Sequence, residues 1–276
     1  MKVFKIAIPI IIIISILSVD YYNKYYKDNT DFENESIYLY VIKDDSLGFT
    51  DSISKYFKST KTFYKVAEKL GYLNNKKTGR FKIDKGVGNN EIVRSLKFNN
   101  TPVNVTFNNQ ERIENLASRV SKQILEDSLS LIKAFRNEDF LKENGLNDKN
   151  VLSIFIPNSY NVYWNTTSDD FRDKMLTEYN KFWNQVRSKK AENMGLSKLE
   201  VISLASIVQI ESRKIDERPK VAGLYINRLK KKMRLQADPT VIYTIKEYYN
   251  NFDTIIRRVL YRDLKLNSDF NTYKIK

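Results

Sequence analysis

The sequence contains no cysteine and no histidine among its 276 residues. The first absence excludes disulfide staples, thiolate metal sites, cysteine nucleophiles and a lipoprotein anchor. The second removes Ser-His-Asp and Cys-His chemistry and the usual zinc ligand sets. If the chain is an enzyme, its acid–base work falls to Asp, Glu, Lys or Tyr. Neither a cofactor nor a metal is implied.

What is present is ordinary globular material, 42% hydrophobic and 13% aromatic, with room for an anchor and two modest domains. The formal net charge of +14 invites a nucleic-acid reading. Lysines are spread over the whole chain instead of forming one stripe, so no nucleic-acid partner is expected. A generally basic surface also suits the neighbourhood of anionic lipid and of a carboxylate-bearing wall polymer.

Lys2 and Lys5 precede an apolar run from Ile6 to Val19, and Asp20, Tyr21 and Tyr22 follow it. The run is fourteen residues, short for a span, although Val3 and Phe4 extend it and lysine snorkelling helps. A cleaved signal peptide is the rival, but no small-x-small site precedes Asp20. The expectation is an uncleaved single-pass transmembrane helix over 1–20 that contacts the lipid of the cytoplasmic membrane. Its lysine-bearing end is placed in the cytoplasm and the remainder of the chain outside.

Residues 21–35 read as a juxtamembrane spacer. Alternation predicts a strand over Ile37–Ile42, helices near Thr50–Phe57 and Thr62–Leu70, and a strand over Gly79–Ile83. Asn90 is a candidate cap for a helix carrying Ile92, Val93 and Leu96. Strand, two helices and strand within 36–100 is the layout of a small LysM-like module. A connecting region, 101–150, holds a strand at Pro102–Phe107, an amphipathic helix at Glu111–Leu125 and a polar connector from 140. From 151 an extended stretch reaches Tyr163. Ser168 then caps a helix with Phe171, Met175, Tyr179, Phe182 and Val186 on one face.

Ser197 and Glu200 form a capping box, so a helix starts there and runs to Glu211. Leu204, Ile207 and Val208 share the face of Glu211. Burial and the negative end of the helix dipole would both raise its pKa, as a general acid requires. The alternative is a structural glutamate paired with Arg213, Arg218 or Arg228. A second helix, about Arg218–Met233, carries Ala222, Tyr225, Ile226, Leu229 and Met233 as its buried stripe, with Asn227 and Arg228 beside it. Asp238 and Pro239 read as N-cap and first residue of a third helix.

With these residues laid out, the chain resembles the endolytic murein transglycosylases of the YceG-like family. The matching segments are SLASIVQIES at 203–212, Glu217, VAGLYINRL at 221–229, MRLQADPTVIY at 233–243 and FNTY at 270–273. Upstream, FIPNSYNVYW at 155–164 and the FW at 182–183 also fit. The resemblance implies an α+β protein: the anchor, the LysM-like module, then a mainly helical catalytic domain with short strands over 151–276. It implies a lyase that cleaves peptidoglycan glycan strands between N-acetylmuramic acid and N-acetylglucosamine and leaves a 1,6-anhydro end. Nascent strands and the enzymes that synthesise the wall are the implied partners. The family's catalytic glutamate falls on Glu211. Glu217, Asn227, Gln236, Asp238, Thr240, Asn271 and Tyr273 match positions that hold sugar or order the site. Members continue after NTY with a Gly-Pro-rich loop, whereas this sequence ends at Lys276, so a truncated catalytic domain is expected. The rival from another class is a non-catalytic protein that binds peptidoglycan or scaffolds wall synthesis.

Overall fold

The computed structural model describes residues 2–275, with side chains from residue 8 onward. The chain divides into two compact units, residues 1–151 with 156–175, and residues 152–155 with 176–276.

The first unit opens with α1 (Lys2–Tyr25). A helix forms where the anchor is expected, but among the described residues none is long and apolar enough to cross a membrane. Asp20 follows Val19 directly and Asn23 and Lys24 come soon after, and fourteen apolar residues rise only ~21 Å against a hydrocarbon core of about 30 Å. The described residues alone therefore do not supply the expected transmembrane helix, whose first seven side chains lie outside them. Every side chain from Ile8 to Val19 is exposed. The side chains of Lys2 and Lys5, on which the orientation rests, lie outside the described residues.

The stretch expected as a spacer is laid against the first unit. Asn29 and Thr30 are buried. The Asn29 amide donates to Asn89 Oδ1 at 2.7 Å, and the Asn89 amide donates to the Lys24 carbonyl at 2.8 Å. Gly88 has no room for a side chain, because a Cβ would stand 2.6 Å from the carbonyl carbon and oxygen of Tyr26.

Beyond it, β1 (Ser36–Val41), α2 (Ser46–Tyr56), α3 (Thr60–Lys69) and β2 (Gly79–Asp84) follow in the expected order, and α4 (Asn89–Phe98) completes the module. β1 and β2 pair antiparallel with Leu39 opposite Phe81. The strand period sends Leu39 and Val41 inward and leaves Tyr38 and Tyr40 outside. Phe49, Ile53, Phe63, Val66, Ile92 and Leu96 of the helices close the core. Helix α4 starts one residue before the expected cap, with Gly88 at the N-cap.

β3 (Pro102–Phe107) and β4 (Asn158–Tyr163) form a second antiparallel pair, with Val105 opposite Tyr160. Between them lie α5 (Ile113–Ser121), α6 (Ser128–Phe135) and α7 (Glu138–Glu143), so the expected connector at 140 begins inside a helix that Asn137 caps. Leu116, Val120, Leu131 and Phe135 are fully buried.

α8 (Ser168–Phe182) buries Phe171, Met175 and Tyr179 as expected. It stops short of Val186, which is 64% exposed. Asn184 interrupts the helix by accepting from Arg187 N–H at 3.0 Å, and so caps α9 (Gln185–Met194). The second unit is then built from α10 (Lys198–Glu211), α11 (Arg218–Lys230) and α12 (Asp238–Tyr248). Its core joins Leu204 and Val208 of α10, Tyr225 of α11, and Ala237, with Ala222, Ile226 and Leu229 packed around them. α11 ends before Met233, which is half exposed. Lys232 takes the left-handed conformation at φ 54, and the N–H groups of Lys232 and Met233 close on Leu229 and Arg228. That pattern terminates a helix by satisfying its last carbonyls. Mixed α and β content, mainly helical with short strands, is thus what the sequence forms.

Candidate active site

The capping box fixes where α10 begins: Ser197 N–H donates to Glu200 at 2.7 Å, and Glu200 N–H donates to Ser197 Oγ at 3.2 Å. The cap holds the Glu200 carboxyl below its ordinary range, first through the hydrogen bond from the Ser197 backbone. From there α10 delivers Glu211 as its last residue. The loop beyond is tied by the buried Ser212, whose hydroxyl donates to Glu217 at 3.0 Å and whose carbonyl accepts from Arg218 Nε at 3.2 Å. Glu217 also pairs with Lys214 at 3.3 Å.

Glu211 is exposed, and this corrects the expected burial. Leu204 and Val208 are buried on the same stripe, but the apolar cluster stops one turn before Glu211. In place of an apolar wall the carboxylate meets a phenol, Tyr225 of α11. The Tyr225 ring is buried and its hydroxyl faces Glu211; burial, then the negative charge of Glu211, push its pKa up to about 12. Of the arginines weighed as ion-pair partners, Arg218 is engaged with the Ser212 carbonyl. Arg228 donates to the carbonyls of Arg234 at 3.2 Å and Leu235 at 2.7 Å, and to Gln236 Oε1 at 3.1 Å.

Arg228 thereby locks the turn that leads into α12. Gln236 sits in the left-handed region at φ 52, a conformation a side chain other than glycine adopts at a cost. Its backbone N–H donates to the Thr272 carbonyl at 3.1 Å. Ala237, not Asp238, is the N-cap of α12, which shifts the expected boundary by one residue and puts Asp238 in the first turn. There Asp238 accepts from the Tyr273 hydroxyl at 2.7 Å. That hydrogen bond leads the causes that push Tyr273 up to about 12, followed by burial and the charges of Asp238 and Glu211.

Thr240 and Asn271 serve the scaffold. The Thr240 hydroxyl donates to the Ala237 carbonyl at 2.7 Å and lies 2.8 Å from Thr272 Oγ1, which accepts from Ala237 N–H at 2.9 Å. Asn271 is fully buried; its amide donates to Leu266 and Leu264 carbonyls at 2.7 and 3.1 Å, and its Oδ1 accepts from Tyr273 N–H at 3.0 Å. Asn227 is exposed and stands two positions from Tyr225, about 200° round the helix, so it faces away from Glu211.

Of the eight residues singled out in the sequence, the structure therefore gathers Glu211, Asp238 and Tyr273 into one electrostatic cluster. Gln236, Thr240 and Asn271 shape its border, Glu217 ties the loop after Glu211, and Asn227 stands apart. Tyr225, read from the sequence as part of a buried stripe, and Arg228, read as lying beside it, also belong to the cluster. The available signal was a tyrosine on a buried stripe, since its hydroxyl needs a polar partner where the ring is covered. Two carboxylates and two phenols that stay protonated at neutral pH make a site of proton donors and acceptors. Among the described residues no group of three or more acidic side chains is placed to hold a metal ion.

Residues 50–276 match the model of the YceG-like family. The chain is similar to the endolytic murein transglycosylase of Bacillus subtilis (strain 168), 26% identical over 234 residues that make up 79% of this chain and 62% of that protein. It is also similar to the endolytic murein transglycosylase of Streptococcus pneumoniae serotype 2, 27% identical over 122 residues, 43% of this chain and 21% of that one. The chain thus spans 62% of the length of the first relative. In fold it is similar to a yceG-like protein of Listeria monocytogenes known from a 2.6 Å crystal structure, with a TM-score of 0.55 at 18% identity over 88% of this chain and 84% of that one.

Proposed function

This chain belongs to the YceG-like family, and from that premise we propose that it is a lytic transglycosylase that cuts peptidoglycan glycan strands internally. The observation that carries the proposal is Glu211, an exposed carboxylate at the end of a well-capped helix, with the Tyr225 hydroxyl beside it. The reaction needs one group that gives a proton and takes one back. In its acid form Glu211 protonates the glycosidic oxygen as the bond from C1 of N-acetylmuramic acid to that oxygen breaks. The O6 hydroxyl of the same sugar then bonds to C1, and Glu211 accepts the O6 proton. Atoms and charge balance without water, and the product carries a 1,6-anhydro end. A hydrolase would instead require a second carboxylate at defined separation to act on water or on C1.

Tyr225 and Tyr273 keep their protons at neutral pH, so their part is to donate hydrogen bonds, Tyr225 to Glu211 and Tyr273 to Asp238. Asp238 adds a negative charge to the region in which positive charge develops at C1. Gln236 and Thr240, at the border of the cluster, are placed to touch sugar hydroxyls or to keep the turn that does.

The strand–helix–helix–strand module is read as a LysM-like contact for the same glycan, and termination of nascent strands as the biological outcome. The exposed isoleucines of α1 support association with the cytoplasmic membrane, since so continuous an apolar surface is normally covered by lipid or protein. Cell fractionation tests this: recovery of the whole chain in the soluble fraction at low salt would refute it.

The test of the activity digests purified, uncrosslinked glycan strands with the wild type and with Glu211→Gln, and analyses the ends by mass. Anhydro-ended fragments from the wild type alone are expected. Ordinary reducing ends would refute the lyase chemistry. Binding of strands without cleavage by either protein would favour the non-catalytic wall-binding reading.

A further inference from the structure

Where β1 ends and β2 begins, four lysines converge that the proposed chemistry does not use. Lys43 follows β1, Lys76 and Lys77 lead into β2, and Lys97 comes from α4; together they line a cleft of about 530 Å³. Among the described residues no carboxylate lines it. Like charges brought together without a counter-charge repel, so the cleft favours an anion that neutralises them.

The hydrogen-bonding character of the walls narrows the ligand. The side-chain acceptors lining the cleft are already engaged. Thr78 Oγ1 accepts from Lys43 N–H at 3.0 Å, Asn100 Oδ1 from Arg80 N–H at 3.1 Å, and Asn165 Oδ1 from the Asn100 amide at 3.0 Å. What the walls still offer are donors: ammonium hydrogens, the Asn165 amide and the Thr78 hydroxyl. Lys97 is held in place by one bond to the Leu70 carbonyl at 3.0 Å, which leaves it further hydrogens to give. Such a surface fits an acceptor-only ligand. A carboxylate brings one charge and two oxygens; a phosphate brings up to two charges and three strong acceptor oxygens, closer to what four lysines supply. The volume lies within the roughly 300–1,000 Å³ range of small-molecule pockets, larger than a bare ion requires.

We propose that this cleft binds a phosphate group carried on a sugar- or polyol-sized body, either a free molecule or a lipid headgroup. The site is separate in sequence and chemistry from Glu211 and does not depend on the lyase reading.

Amide NMR of the full chain, titrated with glycerol phosphate, tests it. Saturable shifts at Thr78, Asn100 and Asn165 are expected, with none from glycerol. The double variant Lys76→Glu, Lys77→Glu reverses two exposed or half-exposed charges and leaves the named hydrogen bonds intact. It should weaken binding about tenfold or more, while Glu211→Gln leaves binding unchanged. Vesicles of phosphatidylglycerol and of phosphatidylcholine form the second arm. Binding to the former without response to glycerol phosphate assigns the site to a headgroup, again only if the double variant loses it. Shifts reproduced by sulfate at equal ionic strength, affinity unchanged in the double variant, or no saturable response to either probe would each overturn the proposal.

Discussion

The Tyr273 hydroxyl donates to the Asp238 carboxylate across 2.7 Å, linking the 271–275 turn to the first turn of α12. Together with burial it pushes Tyr273 up to about 12, as burial and Glu211 do for Tyr225. A phenol whose pKa is higher in the folded than in the unfolded chain stabilises the fold fully below the unfolded value of about 10. The contribution is lost as pH rises from there through the folded value. Stability of the second unit should therefore fall between pH 10 and 12. Ultraviolet titration should show late-ionising tyrosines, one fewer in Tyr273→Phe and one fewer in Tyr225→Phe. Unchanged titration curves in both variants would contradict the assignment.

Because Glu211 is exposed, Glu211→Gln should change unfolding free energy by no more than about 0.5 kcal/mol. Turnover should drop by roughly two to four orders of magnitude, the usual worth of general acid–base assistance. A large fall in urea midpoint with turnover spared would make Glu211 structural.

Gln236→Gly separates strain from function. Glycine takes φ 52 without penalty, so the variant should gain up to about 1 kcal/mol, less the bond from Arg228. If the Gln236 side chain holds sugar, KM for glycan should rise in the same variant. A urea midpoint below that of Gln236→Ala, which loses the same bond but keeps the strain, would contradict the strain argument.

Ser197→Ala should cost about 1 kcal/mol, the usual worth of an N-cap. The Glu200 carboxyl of this cap is held below its ordinary value, so its contribution is present above about pH 4.5. It is lost as pH falls through the folded value. The difference in stability between wild type and Glu200→Gln should shrink on acidification, as thermal melts at pH 7 and pH 3 would show.

Asn271→Ala leaves two part-buried carbonyls without their donor and should cost roughly 1–3 kcal/mol. Asn227→Ala, at an exposed position, should stay within about 0.5 kcal/mol. Equal losses at both positions would argue against the separation drawn between them.

Much of the order of elements was legible, where an element carried a local cause, whereas α6, α7 and α9 were not read from the sequence. Ser197 and Glu200 announce α10, and alternation in SIYLYV announces β1. The misplacements share a physical source. Periodicity gave the direction in which Glu211 points along the Leu204–Val208 stripe, but not how far the covering apolar groups extend, and they end before it. Helix ends at Phe182 and Lys230 depended on the side chain of Asn184 and on Lys232 entering a left-handed conformation, choices that Asn and Lys do not announce. The cluster around Glu211 is assembled by contacts between residues dozens of positions apart, Asp238 with Tyr273 and Gln236 with Thr272. No local pattern encodes those.

The contact at Gly88 has a mechanical consequence. Since the Tyr26 carbonyl occupies the space of a side chain, and Asn89 holds the Lys24 carbonyl, α1 and α4 are geared together without slack. A position imposed on α1 sets the stand-off of the whole strand–helix–helix–strand module, which acts as a lever arm and not as a float on a string. Inserting glycine and serine residues between Asp31 and Glu35 would therefore not lengthen its reach. Gly88→Val, whose Cβ would stand 2.6 Å from the Tyr26 carbonyl, would break that coupling.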